Sequence, residues 1–249
     1  MATASKTAAK KRPAKAAKKI AAKAPSKKQA KPQLKTSPER IAKILSGLQK
    51  AYPDATCALT HSSPWELLVA TILSAQCTDA RVNMVTPTLF RRFPTPAAMA
   101  KTSLPEIEEI IRTTGFYHNK AKSISGAAKA VVERFGGEVP RTMEELLTVP
   151  GAARKTANVV LGTAYGIAVG VVVDTHVLRL TRRLELTLNT EPKKVEQDLM
   201  KIIPKDHWIA FSHELILHGR AICIARKPRC IDCTIEKECD SSDKTWSSH

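Results

Sequence analysis

Apolar residues recur at intervals of three and four along most of the chain, which is the spacing of amphipathic helices. The first such run opens with Ser37-Pro38-Glu39, where a serine cap, a proline at the first helical position and an acidic first turn favour a helix start. This helix is predicted to end near Tyr52-Pro53. Similar starts recur at Ser63-Pro64, Thr95-Pro96, Ser103-Leu104-Pro105, Thr142 to Glu145 and Thr190-Glu191-Pro192. The pattern therefore predicts many helices of ordinary length joined by short loops.

One valine-rich run, Val169 to Val173, favours an extended strand. No second run of this kind accompanies it, and a single strand has nothing to pair with. We therefore predict an all-α fold.

The net charge of the chain indicates which kind of partner it binds. The 249 residues carry a formal charge of +17, which favours a polyanion, with nucleic acid ahead of an anionic membrane surface. No apolar stretch approaches the roughly 20 residues that span a bilayer, and the N-terminus lacks the apolar core of a secretory signal. We expect a soluble intracellular protein without a membrane partner. Length and a hydrophobic content of 43% allow one large domain or two modest ones.

Much of the positive charge lies in residues 1–36, where Lys and Arg are frequent and acidic residues are missing. Large apolar side chains are too few there to offset the entropy of ordering, so we predict a disordered basic tail. The tail is either an arm that binds DNA phosphates or a solubilising extension, and we favour the arm. Targeting to an organelle or to the nucleus through this tail stays open.

The segment from Val149 to Thr156, with the letters VPGAARKT, joins an apolar run to a helix predicted from Thr156 to about Tyr165. Proline ends the first helix and Gly151 permits a tight turn. Such a turn leaves backbone N–H groups unpaired at the start of the second helix, where they suit a DNA phosphate. Taken alone, a Pro-Gly turn is more often an ordinary connection between two helices.

Four of the six cysteines are crowded near the C-terminus, separated by six, two and five residues: Cys223, Cys230, Cys233 and Cys239. Without a secretory signal, this crowding favours metal ligation over disulfides. Four thiolates suit either zinc or a [4Fe–4S] cluster, and spacing alone leaves both open. Cys57 and Cys77 lie outside the pattern and are predicted to be small buried residues.

The segments VPGAARKTANVVLGTA and VVVDTHVLRL resemble the helix-hairpin-helix motif, the Gly/Pro segment and the acidic residue of the endonuclease III family of DNA glycosylases. The resemblance runs from about Ser37 to Cys239 and includes LSAQCTD at residues 73–79. The cysteine spacing, with RKPR inside it, is similar to the cluster loop of that family and implies a [4Fe–4S] cofactor. The family usually has glycine where this chain has Ala153, and a smaller aliphatic wedge where it has Phe116. A methyl group at 153 is expected to disfavour a left-handed backbone or to crowd the phosphate.

The resemblance implies that Lys155 attacks the sugar and that Asp174 assists. A neutral amine displaces the damaged base at C1′ and forms a Schiff base, after which β-elimination cuts the strand. Taken alone, Asp174 is typical of a helix N-cap, and the two roles are compatible. Gln76 resembles the glutamine that fills the gap left by a flipped base. The full set of expected DNA contacts is Gln76, Gly151, Ala153, Arg154, Thr156, His176, Arg226, Lys227 and Arg229.

The resemblance further implies two helical subdomains with DNA in the cleft between them. Residues 58–170 would form one, residues 37–57 and 171–240 the other, with Lys155 and Asp174 facing each other. The expected partner is double-stranded DNA with an oxidised pyrimidine or an abasic site, bound by a monomer in the cytoplasm, at the nucleoid.

Adenine-specific relatives lack the lysine, and the 8-oxoguanine branch lacks the cysteine loop. A DNA-binding protein without catalysis would need neither Lys155 nor Asp174, so we expect a bifunctional DNA glycosylase and abasic-site lyase.

Overall fold

The computed structural model describes Met1 and residues 34–248, and the regular structure of this part is helical. Residues 34–248 belong to one compact unit, and the predicted basic tail lies outside the described residues except for Met1 and 34–36. In this part of the chain, the eleven α-helices are α1 Pro38–Ala51, α2 Pro64–Leu73, α3 Asp79–Arg92, α4 Pro96–Lys101, α5 Leu104–Ile111, α6 Tyr117–Phe135, α7 Met143–Leu146, α8 Arg154–Tyr165, α9 Thr175–Arg183, α10 Pro192–Ile202 and α11 Trp208–Ala221. No helix among them combines the length and apolar character needed to cross a membrane.

The predicted helix starts are confirmed, and side-chain caps form at several of them, whereas α10 begins at Pro192 without a side-chain capping bond. The Ser37 hydroxyl accepts a hydrogen bond from the Arg40 backbone N–H at 3.3 Å, and Pro38 opens the helix. The side chains of Ser63, Thr95 and Thr142 cap α2, α4 and α7 in the same way. The all-α prediction is confirmed as well: the valine-rich run forms no strand, and residues 34–248 contain no strand elsewhere.

The buried apolar residues form two clusters. The first extends from Leu59 to Val172 and is built by α2 to α8, with α2 packed on α8 and α4 on α6. The second joins α1 to the chain after Val171, with α9 and α1 both packed on α11. The extended link between α8 and α9 serves both, because Val172 points into the first cluster while Val171 and Val173 point into the second. We infer that the two clusters are the cores of the two predicted subdomains.

Candidate active site

The hairpin between α7 and α8 turns at Gly151, whose φ is +80°. The helix α8 begins at Arg154, two residues earlier than predicted, so Lys155 lies in its first turn. Ala153 is the N-cap, with φ −78° and ψ 170°, and its side chain makes no capping hydrogen bond. Of the two expected effects of Ala153, interference with a left-handed backbone does not apply, because Gly151 takes the left-handed position and Ala153 is extended. The first-turn N–H groups of α8 have no partner within the helix and suit an anion.

Replacing Gly151 with alanine should destabilise the fold. A Cβ atom there would lie 2.8 Å from Ser123 Cβ and 3.2 Å from Ile72 Cδ1, and its φ is costly for any L side chain. We expect a loss of about 2 kcal/mol or more in the free energy of unfolding, measured by urea denaturation. Ala153→Gly is the matched control, and we expect it to change stability by less than about 1 kcal/mol. Equal stability of Gly151→Ala and the unmodified chain would contradict this account of the turn.

Lys155 and Asp174 line the same pocket, although 18 residues separate them in the chain. Lys155 is exposed, and Asp174 is half-buried. Asp174 caps α9, since its Oδ1 accepts hydrogen bonds from the backbone N–H groups of His176 and Val177, each at 2.8 Å. The predicted N-cap is confirmed. Because Oδ1 accepts both of these bonds, Oδ2 is free of the capping contacts and available to the pocket.

The pocket has an inner part of about 90 Å³ and an adjoining outer part of about 460 Å³. Five residues line both parts: Ser74, Asp79, Lys155, Asp174 and Arg220. Arg220 of α11 donates a hydrogen bond to Asp79 Oδ2 of α3 at 2.6 Å. Cys57 and His213 line the inner part, and burial raises the pKa of the Cys57 thiol and lowers that of the His213 imidazole. His213 therefore faces the pocket in its neutral form near pH 7.

Sequence reasoning missed His213, Arg220 and Asp79 as site residues. Asp79 lies in the LSAQCTD segment, and Arg220 lies in the segment HGR. For each residue, that short segment was the only feature of the sequence that pointed to the site. His213 lies in a helix of mixed composition with no motif around it. Cys57 and Cys77 were expected to be buried, but both are half-buried, and Cys57 forms part of the pocket wall.

Gln76 and Phe116 share an unusual backbone conformation. Both are exposed, and both have a left-handed backbone, with φ of 53° and 49°. A non-glycine residue in this region carries strain of about 1–3 kcal/mol, which the surrounding fold must hold in place. Near Phe116, the buried Lys120 ammonium donates a hydrogen bond to the Thr114 carbonyl at 2.8 Å and anchors the loop.

The remaining residues that were predicted to contact DNA differ in their burial and in their partners. The Arg154 guanidinium is engaged by Glu196, and Thr156 is buried, with 9% of its surface exposed. His176 is half-buried on the wall of the outer pocket, 3.3 Å from the Arg179 guanidinium. The basic residues Arg226, Lys227 and Arg229 are all exposed on the cysteine loop.

The four predicted ligand cysteines line one cavity of about 30 Å³. In residues 34–248, no three His, Cys, Asp or Glu side chains are close enough together to bind a single metal ion. The four cysteines are spread around the wall of the cavity. Burial raises the pKa of Cys233 to about 12 and also raises that of Cys239. Arg183 and Lys244 also line the cavity, and Arg183 Nη1 lies 3.2 Å from Cys223 Sγ. Thiolates in this cavity thus require bound cations to stabilise them, and two cationic side chains balance part of their charge.

Residues 69–205 match the family model described as HhH-GPD superfamily base excision DNA repair protein. The chain therefore belongs to this superfamily, a class to which its helical fold and its helix-hairpin-helix also point. Endonuclease III from Synechocystis sp. is 56% identical over 210 residues, which are 84% of this chain and 96% of that protein. Endonuclease III from Escherichia coli is 42% identical over 202 residues, or 81% of this chain and 95% of that protein. The chain is accordingly a member of the endonuclease III family, and the resemblance seen in the sequence is confirmed.

Two solved structures agree with this assignment. A non-covalent endonuclease III–DNA complex has a TM-score of 0.77 and 43% identity, covering 82% of this chain and 95% of that one. A trapped endonuclease III–DNA covalent intermediate has the same TM-score and 42% identity, covering 82% of this chain and 96% of that one. The prediction of a base excision DNA repair enzyme is confirmed at the level of the family.

Proposed function

We propose that the chain is a bifunctional DNA glycosylase and abasic-site lyase that removes oxidised pyrimidines, with Lys155 as nucleophile and Asp174 as its carboxylate partner. The observation that carries this proposal is their shared pocket, where a lysine in the first turn of α8 meets a carboxylate at the start of α9. Membership of the endonuclease III family supports the same assignment.

The neutral Lys155 amine attacks C1′ of the damaged nucleotide, and the bond from C1′ to the base breaks with its electron pair leaving on the base. The amine nitrogen loses a proton as it bonds to C1′, and the departing base takes up one proton. The C1′ adduct then opens its ring to a protonated Schiff base, which makes the C2′ proton acidic. Loss of that proton and of the 3′ phosphate cuts the strand, and water finally hydrolyses the Schiff base and restores the amine. Each of these steps involves the lysine, the DNA, water and groups that donate or accept protons.

Asp174 supports this reaction through its charge. Positive charge develops on the sugar as the base leaves, and a carboxylate held in a partly dry pocket stabilises it. The capping bonds fix Oδ1, so the side chain is preorganised. The same orientation of the Asp174 side chain therefore serves both the helix cap and catalysis.

The exposed left-handed residues Gln76 and Phe116 suit the opening of the duplex. A glycosylase must remove a base from the stack, and side chains must occupy the vacated space. Their left-handed backbone fixes the direction in which each of these two side chains leaves the surface, which lowers the entropy cost of ordering them on binding. The first-turn N–H groups of α8 and the exposed Arg226, Lys227 and Arg229 would bind phosphates on either side.

Cys223, Cys230, Cys233 and Cys239 would hold a [4Fe–4S] cluster. All four cysteines line one cavity, and as buried thiolates they would need a cationic centre to stabilise their charge. When bound, the cluster supplies structural cross-linking of the C-terminal loop, in line with thiolate ligation of such groups. The loop in turn places Arg226, Lys227 and Arg229 at the surface.

Replacing Cys233 with alanine should remove this cluster. We expect loss of the cluster's absorption in the blue part of the visible spectrum and loss of bound iron. The thermal midpoint should also fall, because the free energy of metal binding contributes to the free energy of folding. Cys77→Ser is the matched control, since Cys77 is a free cysteine outside the cavity, and its iron content should be unchanged. One zinc ion per chain in place of iron would contradict the proposed cofactor.

The catalytic proposal is tested with a duplex that contains one thymine glycol, incubated with the chain under sodium borohydride. A covalent protein–DNA adduct supports the Schiff-base route. Failure to trap an adduct with both this duplex and an abasic duplex, from protein that retains its cluster absorption, would instead favour a DNA-binding protein without catalysis. A duplex with 8-oxoguanine opposite adenine serves as the specificity control, and we expect no base release from it.

A further inference from the structure

Glu196 on α10 is an almost fully buried carboxylate, with 4% of its surface exposed. It accepts hydrogen bonds from Arg154 Nε at 2.7 Å and Arg154 Nη2 at 2.9 Å, and from Asn158 Nδ2 at 2.8 Å. Both donors belong to α8, and Arg154 immediately precedes Lys155. A buried charge is costly unless it is fully bonded, so this geometry is held strongly. The pKa of Arg154 is raised by its hydrogen bond to Glu196.

The same carboxylate touches the link that leads to Asp174. A Cβ atom at Gly170 would lie 2.0 Å from Glu196 Oε1, so the carboxylate packs directly on the Gly170 backbone. The chain then runs through three buried valines to Asp174, and the Val172 backbone N–H donates to Ser212 Oγ at 3.0 Å. Glu196 thus contacts both the first turn that carries Lys155 and the start of the segment that carries Asp174.

We propose that Glu196 is a positioning residue for the reaction of Lys155 and Asp174, fixing the first turn of α8 relative to the link that ends at Asp174. This inference rests on the proposed function. Glu196 is on α10, which packs in the second apolar cluster through Val195 and Leu199, while its partners Arg154 and Asn158 are on helix α8 of the first. The carboxylate therefore joins the two clusters. A misplacement of about 1 Å between reacting groups costs on the order of 100-fold in rate.

Glu196→Gln is the main test variant, because it keeps the shape of the side chain and removes its charge. The rate of strand cleavage at an abasic site, measured in single turnovers, should fall about 10-fold to 100-fold. Affinity for a duplex with an uncleavable tetrahydrofuran abasic analogue should stay within about threefold, since Glu196 is buried and binds no DNA. A purely structural role would reduce the thermal midpoint and leave the rate of the folded protein unchanged.

Glu191→Gln, at the N-cap position of the same helix, is the matched control. Glu191 is exposed and forms its ion pair with Lys194 at 3.0 Å, so its loss should leave cleavage unchanged. Gly170→Ala is the second variant: its methyl group displaces the carboxylate while the charge is kept, and the same rate loss is expected. All rates are measured at a temperature below the thermal midpoint of every variant.

Cleavage by both Glu196→Gln and Gly170→Ala within twofold of the unmodified rate would overturn the inference. A loss of rate matched by an equal loss of affinity for the analogue would also overturn it, because the role would then be DNA binding. An unmodified chain that fails to cleave abasic DNA would overturn the proposed function itself, and this outcome is distinct from the other two.

Discussion

Lys155→Ala should lose both the borohydride-trapped adduct and strand cleavage, with a rate on a thymine glycol duplex lower by on the order of 10³-fold or more. No other lysine lines the inner or outer part of the pocket in the described residues. Without the amine, no Schiff base forms, so the C2′ proton keeps its ordinary acidity and β-elimination stops. The measurement is single-turnover cleavage followed on a denaturing gel, with trapping run in parallel.

Two further variants make this test specific. Lys155→Arg keeps the positive charge and cannot form a Schiff base, so it should bind DNA and trap nothing. Lys50→Ala removes an exposed lysine from the last turn of α1 and should leave trapping unchanged. Trapped adduct from Lys155→Ala at the unmodified rate would assign the nucleophile to another amine, of which the chain's N-terminus is one.

Helix starts could be predicted because a cap acts over three or four residues. Ser63 and Thr95 bond to backbone N–H groups three positions later, and the sequence around each contains all the partners. That Lys155 and Asp174 line one pocket could be predicted for a different reason, since their segments resemble a known family. In both cases, the signal is local in the chain.

The rest of the site depends on contacts between distant segments. Asp79 and Arg220 pair across 141 positions, and Arg154 and Glu196 across 42. Nothing near Glu196 in the sequence distinguishes it from the other charged residues of an amphipathic helix, because only packing shows that it is buried. Gln76 has no local signal for its left-handed backbone either, since glutamine is an ordinary helix-forming residue.

The role of Arg154 shows how the fold alters an expectation from sequence. It was predicted to contact DNA, but its guanidinium donates two hydrogen bonds to Glu196 and is thereby fixed in orientation. The side chain remains 39% exposed, so part of its charge still faces outward. We therefore expect Arg154 to act on DNA mainly through its backbone N–H and its charge rather than through a new pair of side-chain hydrogen bonds.

Asp174→Asn separates the two uses of this residue. The amide oxygen of asparagine can accept the same hydrogen bonds from His176 and Val177, and asparagine caps helices about as well as aspartate, so stability should change by less than about 1 kcal/mol. The negative charge is lost, and base release from thymine glycol should slow by on the order of 10²-fold or more. Asp174→Ala removes the cap as well, and should cost about 0.5–2 kcal/mol in the free energy of unfolding.

Measuring the DNA affinity of the Asp174 variants distinguishes a loss of catalysis from local unfolding. Asp174 lies at the wall of a pocket that receives a polyanion, so removing its charge should leave binding to the tetrahydrofuran duplex unchanged or tighter, while catalysis falls. A variant that lost activity merely by unfolding locally would bind more weakly instead. Full base release by Asp174→Asn, with only Asp174→Ala impaired, would show that capping is the whole role of Asp174. Lys155 would then act on the sugar without a carboxylate partner from α9.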